Sequence, residues 1–283
     1  MSSLSDRQMS SFQAEYRPLS DSHPGWGSVA VLPWDEAIFG FPVADLRIGP
    51  EPSKGVDTPL FREALSGYCR KTRSELVSVR VAARQTSSIA VLSQAGFVYV
   101  DFGLLATLSK LDPASLLKTG FTVRQAEPAD HEAIYQICAN AFHFGRYHTD
   151  PHFPRELANR RYVQWMRRAL SGSDPGGLVF ALGKPGNVIG FMHVTLHENN
   201  ADLRLGAVAP GSSLGFWLYT ETLRAVHALG ARSVSTGISA ANVRVMQIYS
   251  ALGFRFSRPE AILHWHSPNA AHMVENADVP AAD

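Results

Sequence analysis

SVSTGISAANVRVMQIYSALGFRF, residues 233–256, reads as a reworked copy of LVSVRVAARQTSSIAVLSQAGFVY, residues 76–99. Both stretches run from a strand through a small-residue turn into a short helix, and both end on a Gly-Phe pair that opens another strand. Gly96 and Gly253 stand 157 residues apart. At that spacing Tyr249 faces Leu92 and Asn242 faces Gln85, so the later copy carries a hydroxyl where the earlier one is aliphatic. Chemistry is therefore expected in the C-terminal half.

A chain of 283 residues with 45% hydrophobic content holds one large or two ordinary domains, and the repeat favours two. Lys plus Arg number 26 against 25 for Asp plus Glu, with no long block of one sign, so neither a nucleic acid nor a membrane surface is the expected partner. A small molecule is. Cys69 and Cys138 lie in separate apolar patterns without ligand spacing, which points to buried thiols in a reducing cytoplasm, with neither disulfide nor metal site. The N-terminal stretch has no signal-peptide core, and no apolar run is long enough to span a bilayer. A cytoplasmic protein is expected, and a homodimer is compatible with this reading.

Residues 1–27 and the tail after Ser267 are polar and read as loose ends. Between them, strands are expected at 28–32, 43–48, 76–81 and 97–108, with helices at 58–73 and 87–94. Residues 110–120, containing Pro113 and Gly120, read as a seam. Beyond it come a strand at 121–125, helices after Pro128 and Pro154, strands near 178–182, 188–195 and 202–208, and a helix from about Leu214 to Gly230. A strand at 233–238, the helix through Tyr249 and two last strands at 254–257 and 261–266 close the domain.

That order, with a strand entering a turn and helix near Pro210 and a later Asn-x6-Tyr-x3-Gly-Phe segment, resembles the GNAT superfamily of acyl-CoA N-acyltransferases. The narrower resemblance is to dTDP-fucosamine acetyltransferases. It is carried by LPWDEAIFGFPVADLRI at 32–48, VRVAARQTSSIAVLSQAGF at 79–97, AFHFGRYHTDP at 141–151, YVQWMRRALSG at 162–172, GFMHVTLHENNADLRLGAVA at 190–209 and NVRVMQIYSALGF at 242–254. The resemblance implies an α/β tandem GNAT-like fold: a degenerate N-terminal domain at 28–108 and a complete GNAT domain with a mixed central sheet at 121–267. It also implies acetyl-CoA as co-substrate and an amino group on a nucleotide-linked (dTDP) sugar as acceptor, acetylated directly and without an acyl-enzyme. Another small amine or antibiotic as acceptor, and a CoA-free binding protein, are the alternatives.

The resemblance assigns roles residue by residue. The strand ending Gly206-Ala207-Val208 splays from its neighbour and offers backbone groups to the pantetheine arm. The loop Gly211-Ser212-Ser213-Leu214-Gly215, following Pro210, cradles the pyrophosphate at a helix N-terminus. This loop departs from the family pattern. Pro210 stands at the usual Arg or Gln and Ser213 at the middle Gly, so a donor is lost and a side chain gained. Tyr249 takes the place of the general acid, with its hydroxyl expected one position aside from the inward stripe of Val245, Ile248 and Leu252. Asn242 is a helix cap, a CoA contact, or both. For the base, His193 leads, with His148 and Asp202 as further candidates. Arg146, Tyr147 and His148 stand where acceptors enter in this superfamily, while Trp34, Phe39 and Phe41 are expected to pack.

Overall fold

The computed structural model describes residues 14–48, 56–118, 120–268 and 270. These form two compact units. The C-terminal unit holds Leu104–His143 and Asn159–Ser257, and the N-terminal unit holds the described residues up to Gly103, Phe144–Ala158 and those from Arg258 onward. Two segments that lie late in sequence, including the Gly-Arg-Tyr-His loop, thus join the N-terminal residues.

In the N-terminal unit, β1 (Arg17–Pro18), β2 (Ser28–Val31) and β3 (Val43–Arg47) pair antiparallel, β3 and β4 (Leu76–Ala82) pair parallel, and β11 (Arg255–His266) runs antiparallel to β4. Alternation decides the faces. Val77, Val79 and Val81 point into a core with Phe61, Leu65 and Leu92, while Ser78 and Arg80 take the other face. Helices α2 (Thr58–Thr72) and α3 (Thr86–Gln94) supply that core. A short helix α1 (Pro33–Phe39) was not read from the sequence. It starts on a proline and stops at Gly40, whose φ of 81° suits a residue without Cβ.

The C-terminal unit is a mixed α/β layer. Strands β6 (Val123–Gln125), β7 (Gly177–Lys184), β8 (Asn187–His197) and β9 (Asn200–Val208) pair antiparallel in sequence, and β10 (Ser233–Ser239) joins β9 in parallel. Helices α4 (His131–Ala141), α5 (Arg155–Leu170), α6 (Gly215–Ala228) and α7 (Val243–Ala251) complete the element set with β5 (Val98–Leu108), which begins in one unit and ends in the other. Arg124 holds the Asp130 carboxylate with two short bonds of 2.6 and 2.8 Å, tying β6 to the start of α4.

The repeat holds at the level of elements. β3 and β9, α2 and α6, β4 and β10, α3 and α7, and β5 and β11 each begin 157 residues apart. Buried positions coincide as well: Phe61 with Leu218, Val77 with Val234, Leu92 with Tyr249, and Phe97 with Phe254. Two left-handed glycines, Gly96 and Gly253, turn α3 and α7 into the next strand at φ of 98° and 84°.

Three expectations change. Residues 17–18 and a 3-10 turn at Pro24–Trp26 are structured, with Trp26 buried against Phe61, so the arm is ordered from there; residues 1–13 and the tail after 270 lie outside the described residues. The two final strands are one, because Arg258 passes through φ of 50° and the ladder continues past Pro259. The seam is docked: Leu111 and Leu116 are buried, and Arg224 bonds the carbonyls of Pro113, Leu116 and Leu117.

Candidate active site

Strands β9 and β10 share only three rungs, ending at Asp202 opposite Ser235. Past that point β9 stays bonded to β8 as far as Val208, while its other edge faces no backbone partner on β10. A β-bulge helps to part them. His193 pairs with Leu205 but Val194 pairs with Leu203, which leaves Arg204 as an extra residue in β9 and adds local twist. The open edge carries Gly206, Ala207 and Val208, each partly exposed. Gly206 has a packing reason too, since a Cβ there would clash with the buried side chain of Met192.

Tyr249 sits at the fork. Its hydroxyl interacts with Thr236, the first residue of β10 beyond the last rung, and with Tyr219, whose ring stands edge-on at 5.2 Å. Burial holds the Tyr249 proton well above the ordinary phenol range, and it pushes Tyr219 up to about 12. A phenol so placed keeps its proton at neutral pH. The stripe expectation needs correction: Tyr249 is the buried residue of α7, and Val245 and Ile248 are only half-buried, because this nine-residue helix leans on the core through Tyr249 itself.

The loop before α6 begins at Pro210 and turns at Gly211, with φ of 81°. Ser212 Oγ accepts the Leu214 N–H at 3.2 Å and keeps its own proton for another partner. Leu214 is the N-cap and supplies no side-chain acceptor. The amides of Gly215, Phe216 and Trp217 precede the first intrahelical bond, donated by Leu218 to the Leu214 carbonyl, so the positive end of α6 is open to an anion. Ser213 is exposed beside it. Asn242 caps α7, accepting the Val245 N–H at 3.3 Å.

The fold that carries this arrangement is shared with known proteins. The family described as the acetyltransferase (GNAT) domain matches residues 121–255. The chain has an α/β tandem GNAT-like fold with a mixed sheet and is an acetyltransferase, and proteins of the GNAT fold use acetyl-CoA. It is 28% identical over 226 residues to the spore coat polysaccharide biosynthesis protein SpsD of Bacillus subtilis, covering 78% of this chain and 76% of that protein. In fold it is similar to a GCN5-related N-acetyltransferase from Sphaerobacter thermophilus, with a TM-score of 0.58, 16% identity and coverage of 86% and 77%. A tandem GNAT protein from the clavulanic acid biosynthesis pathway is similar at a TM-score of 0.54, 18% identity and coverage of 85% and 79%.

Other expected site residues fall elsewhere. In the GNAT domain, His193 is fully buried beneath Trp165. Its Nε2 lies 2.9 Å from an Asp174 carboxylate oxygen, off line for a straight hydrogen bond, and this contact lowers the Asp174 pKa. His193 is thus an enclosed imidazole whose neighbour Asp174 is 26% exposed. Asp202, on the last rung of the fork, is the less open carboxylate, with 16% of its side chain exposed and its pKa raised by burial. Asp174 was not singled out from the sequence, because Ser-Asp-Pro-Gly reads as a plain turn.

Arg146, Tyr147 and His148 belong to the N-terminal unit, where they are enclosed. Tyr147 donates to Asp35 at 2.8 Å, and Arg146 lies 3.5 Å from the same carboxylate with its side chain only 10% exposed. Phe39 and Phe153 stand edge-on to each other, and Phe39 also meets the Tyr147 ring edge-on at 5.1 Å, so Phe39 packs as expected. A grouping missed by the sequence reading lies nearby: Asp150 with His264 and His266. Its signal was present in Asp-Pro-His and His-Trp-His. Among the described residues, no helix is long and apolar enough to cross a membrane.

Proposed function

We propose that the chain transfers an acetyl group from acetyl-CoA directly to the amino group of a nucleotide-linked amino sugar. The observation that carries this reading is the fork itself: a strand pair that stops after three rungs, with the Tyr249 hydroxyl at Thr236 and an uncapped helix end alongside. The groove edge at Gly206–Val208 suits the amides of a pantetheine arm. Gly211, Ser212, Ser213, Leu214 and Gly215 suit its pyrophosphate through backbone N–H groups and two hydroxyls, which offset the donor that Pro210 lacks. Acetyl-CoA supplies the activated acyl group.

Tyr249 gives its proton to the departing thiolate, a contribution typically worth about 10² to 10⁴ in rate. The acceptor must lose a proton, and His193, in contact with the partly exposed Asp174, is proposed as its base. Arg146, Tyr147 and His148 are proposed to serve the acceptor, and Asn242 the cofactor arm. The sugar class is supported by the relative named for spore coat polysaccharide biosynthesis and by the motif resemblance at 32–48 and 141–151.

Thiol release from acetyl-CoA, measured with a panel of dTDP-linked amino sugars, free amino sugars and aminoglycosides, tests the reading. A clear preference for the dTDP-linked sugars is expected. Preference for another amine would move the acceptor class. Calorimetry that finds no acetyl-CoA binding at millimolar ligand would leave a GNAT-fold binding protein without catalysis.

A further inference from the structure

The face of the N-terminal sheet that turns away from the core around Phe61 and Leu65 carries buried polar side chains among apolar ones. On β11, His264 and His266 are two residues apart and so share that face. Both reach one atom. His264 Nδ1 lies 2.7 Å and His266 Nε2 2.8 Å from Oδ2 of Asp150, a residue of the loop between α4 and α5. All three side chains are buried, with 0%, 6% and 1% of their surface exposed. The carboxylate is held in orientation by its second oxygen, which accepts the His152 N–H at 2.9 Å.

We propose that Asp150, His264 and His266 form a zinc site, with the imidazole of His152 as its fourth ligand on the solvent side. Two imidazoles and a carboxylate are a donor set suited to this ion, and an outer hydrogen bond on the ligating carboxylate is the usual companion of such sites. The ring spacing agrees. Two imidazoles on one tetrahedral ion, with bonds of about 2.0 Å, place their centroids roughly 5 Å apart. Here the centroids lie 5.6 Å apart for His152 and His266 and 6.3 Å for His264 and His266. Ligand atoms on such an ion stand about 3.3 Å from one another, so the nitrogens and Oδ2 part by roughly half an ångström as it enters. His152 is exposed and can swing toward the ion from outside. Entry of zinc breaks the N–H bond at each ligating nitrogen that carries one and re-forms it at the other ring nitrogen, with no change of oxidation state. The bound ion pins residues 144–158, which carry Arg146, Tyr147 and His148, onto β11.

Untagged full-length chain, stripped with a chelator and titrated with Zn²⁺ alone, is expected to take up about one ion per chain, to raise its thermal midpoint, and to give tetrahedral absorption with Co²⁺. His266→Gln separates the ion from a simple hydrogen-bonded clamp. Its amide can still donate to Asp150, so it is expected to fold with an unchanged midpoint in the absence of zinc while losing at least about tenfold in zinc affinity. His152→Ala is expected to weaken zinc about tenfold with little effect on the ion-free protein. Wild-type chain with no bound zinc and no midpoint shift would overturn the proposal, as would zinc binding unchanged in His266→Gln. These readouts need no acceptor, so they stand apart from the test of acetyl transfer.

Discussion

Helices α2 and α6 begin 157 residues apart and pack the same buried positions, yet their first turns are finished differently. Asp57 caps α2, its Oδ1 accepting the Leu60 N–H at 3.1 Å, whereas Leu214 leaves α6 without a side-chain cap. The strand pairs diverge in the same sense. β3 and β4 share four rungs, to Leu46 opposite Val79, and β3 ends one residue later; β9 and β10 share three, and β9 runs on for six residues to Val208. Position 92 holds a leucine where position 249 holds a tyrosine, both buried. One copy has closed each feature that the other leaves open. The comparison teaches that a shared scaffold does not bring a shared site: a cap, a rung and a hydroxyl separate them.

The largest effect expected from breaking this difference is Leu214→Asp, which gives α6 the carboxylate of α2. The dissociation constant for acetyl-CoA, read by calorimetry, should rise about a hundredfold, through repulsion at the pyrophosphate and loss of open amides. Leu214→Asn, a cap without charge, should cost much less; equal losses would remove the electrostatic reading. Next comes Tyr249→Phe, which returns the fork toward the aliphatic state of Leu92. Turnover should fall at least about tenfold with acetyl-CoA affinity nearly intact, and unchanged turnover would remove the acid. Gly96→Ala and Gly253→Ala probe what the copies kept. Each should destabilise the protein by about 1–2 kcal/mol in denaturant melts, since both glycines are left-handed. A large disparity between them would show that the turns are not equivalent. Smallest is Asp57→Ala, expected to cost about 1 kcal/mol of stability and nothing in acetyl-CoA affinity; a change in that affinity would mean the N-terminal copy takes part in binding it.

The repeat was legible because hydrophobic periodicity and the Gly-Phe turns are local signals, and nearly every element fell within a few residues of its expected place. Helix α1 escaped, since seven residues give too few turns for a period to register. Arg258-Pro259 read as a strand break because proline lacks a donor, whereas the ladder accommodates it by a single positive φ. The fork was not visible in composition: Gly206 satisfies Met192 as much as any cofactor, and only the register of β9 against β10 separates the two demands. Side-chain partners were the least legible. Nothing in the spacing brings Asp174 to His193, Asp35 to Tyr147, or Asp150 to two histidines more than a hundred residues later, because such encounters are set by loops whose paths tertiary packing decides.

The cap on α2 has a further consequence. A carboxylate fastened to the backbone one residue before the helix meets those amides at an effective concentration far above that of any dissolved nucleotide. A dissolved anion cannot compete that carboxylate away, so the first copy's helix end stays occupied at any nucleotide concentration.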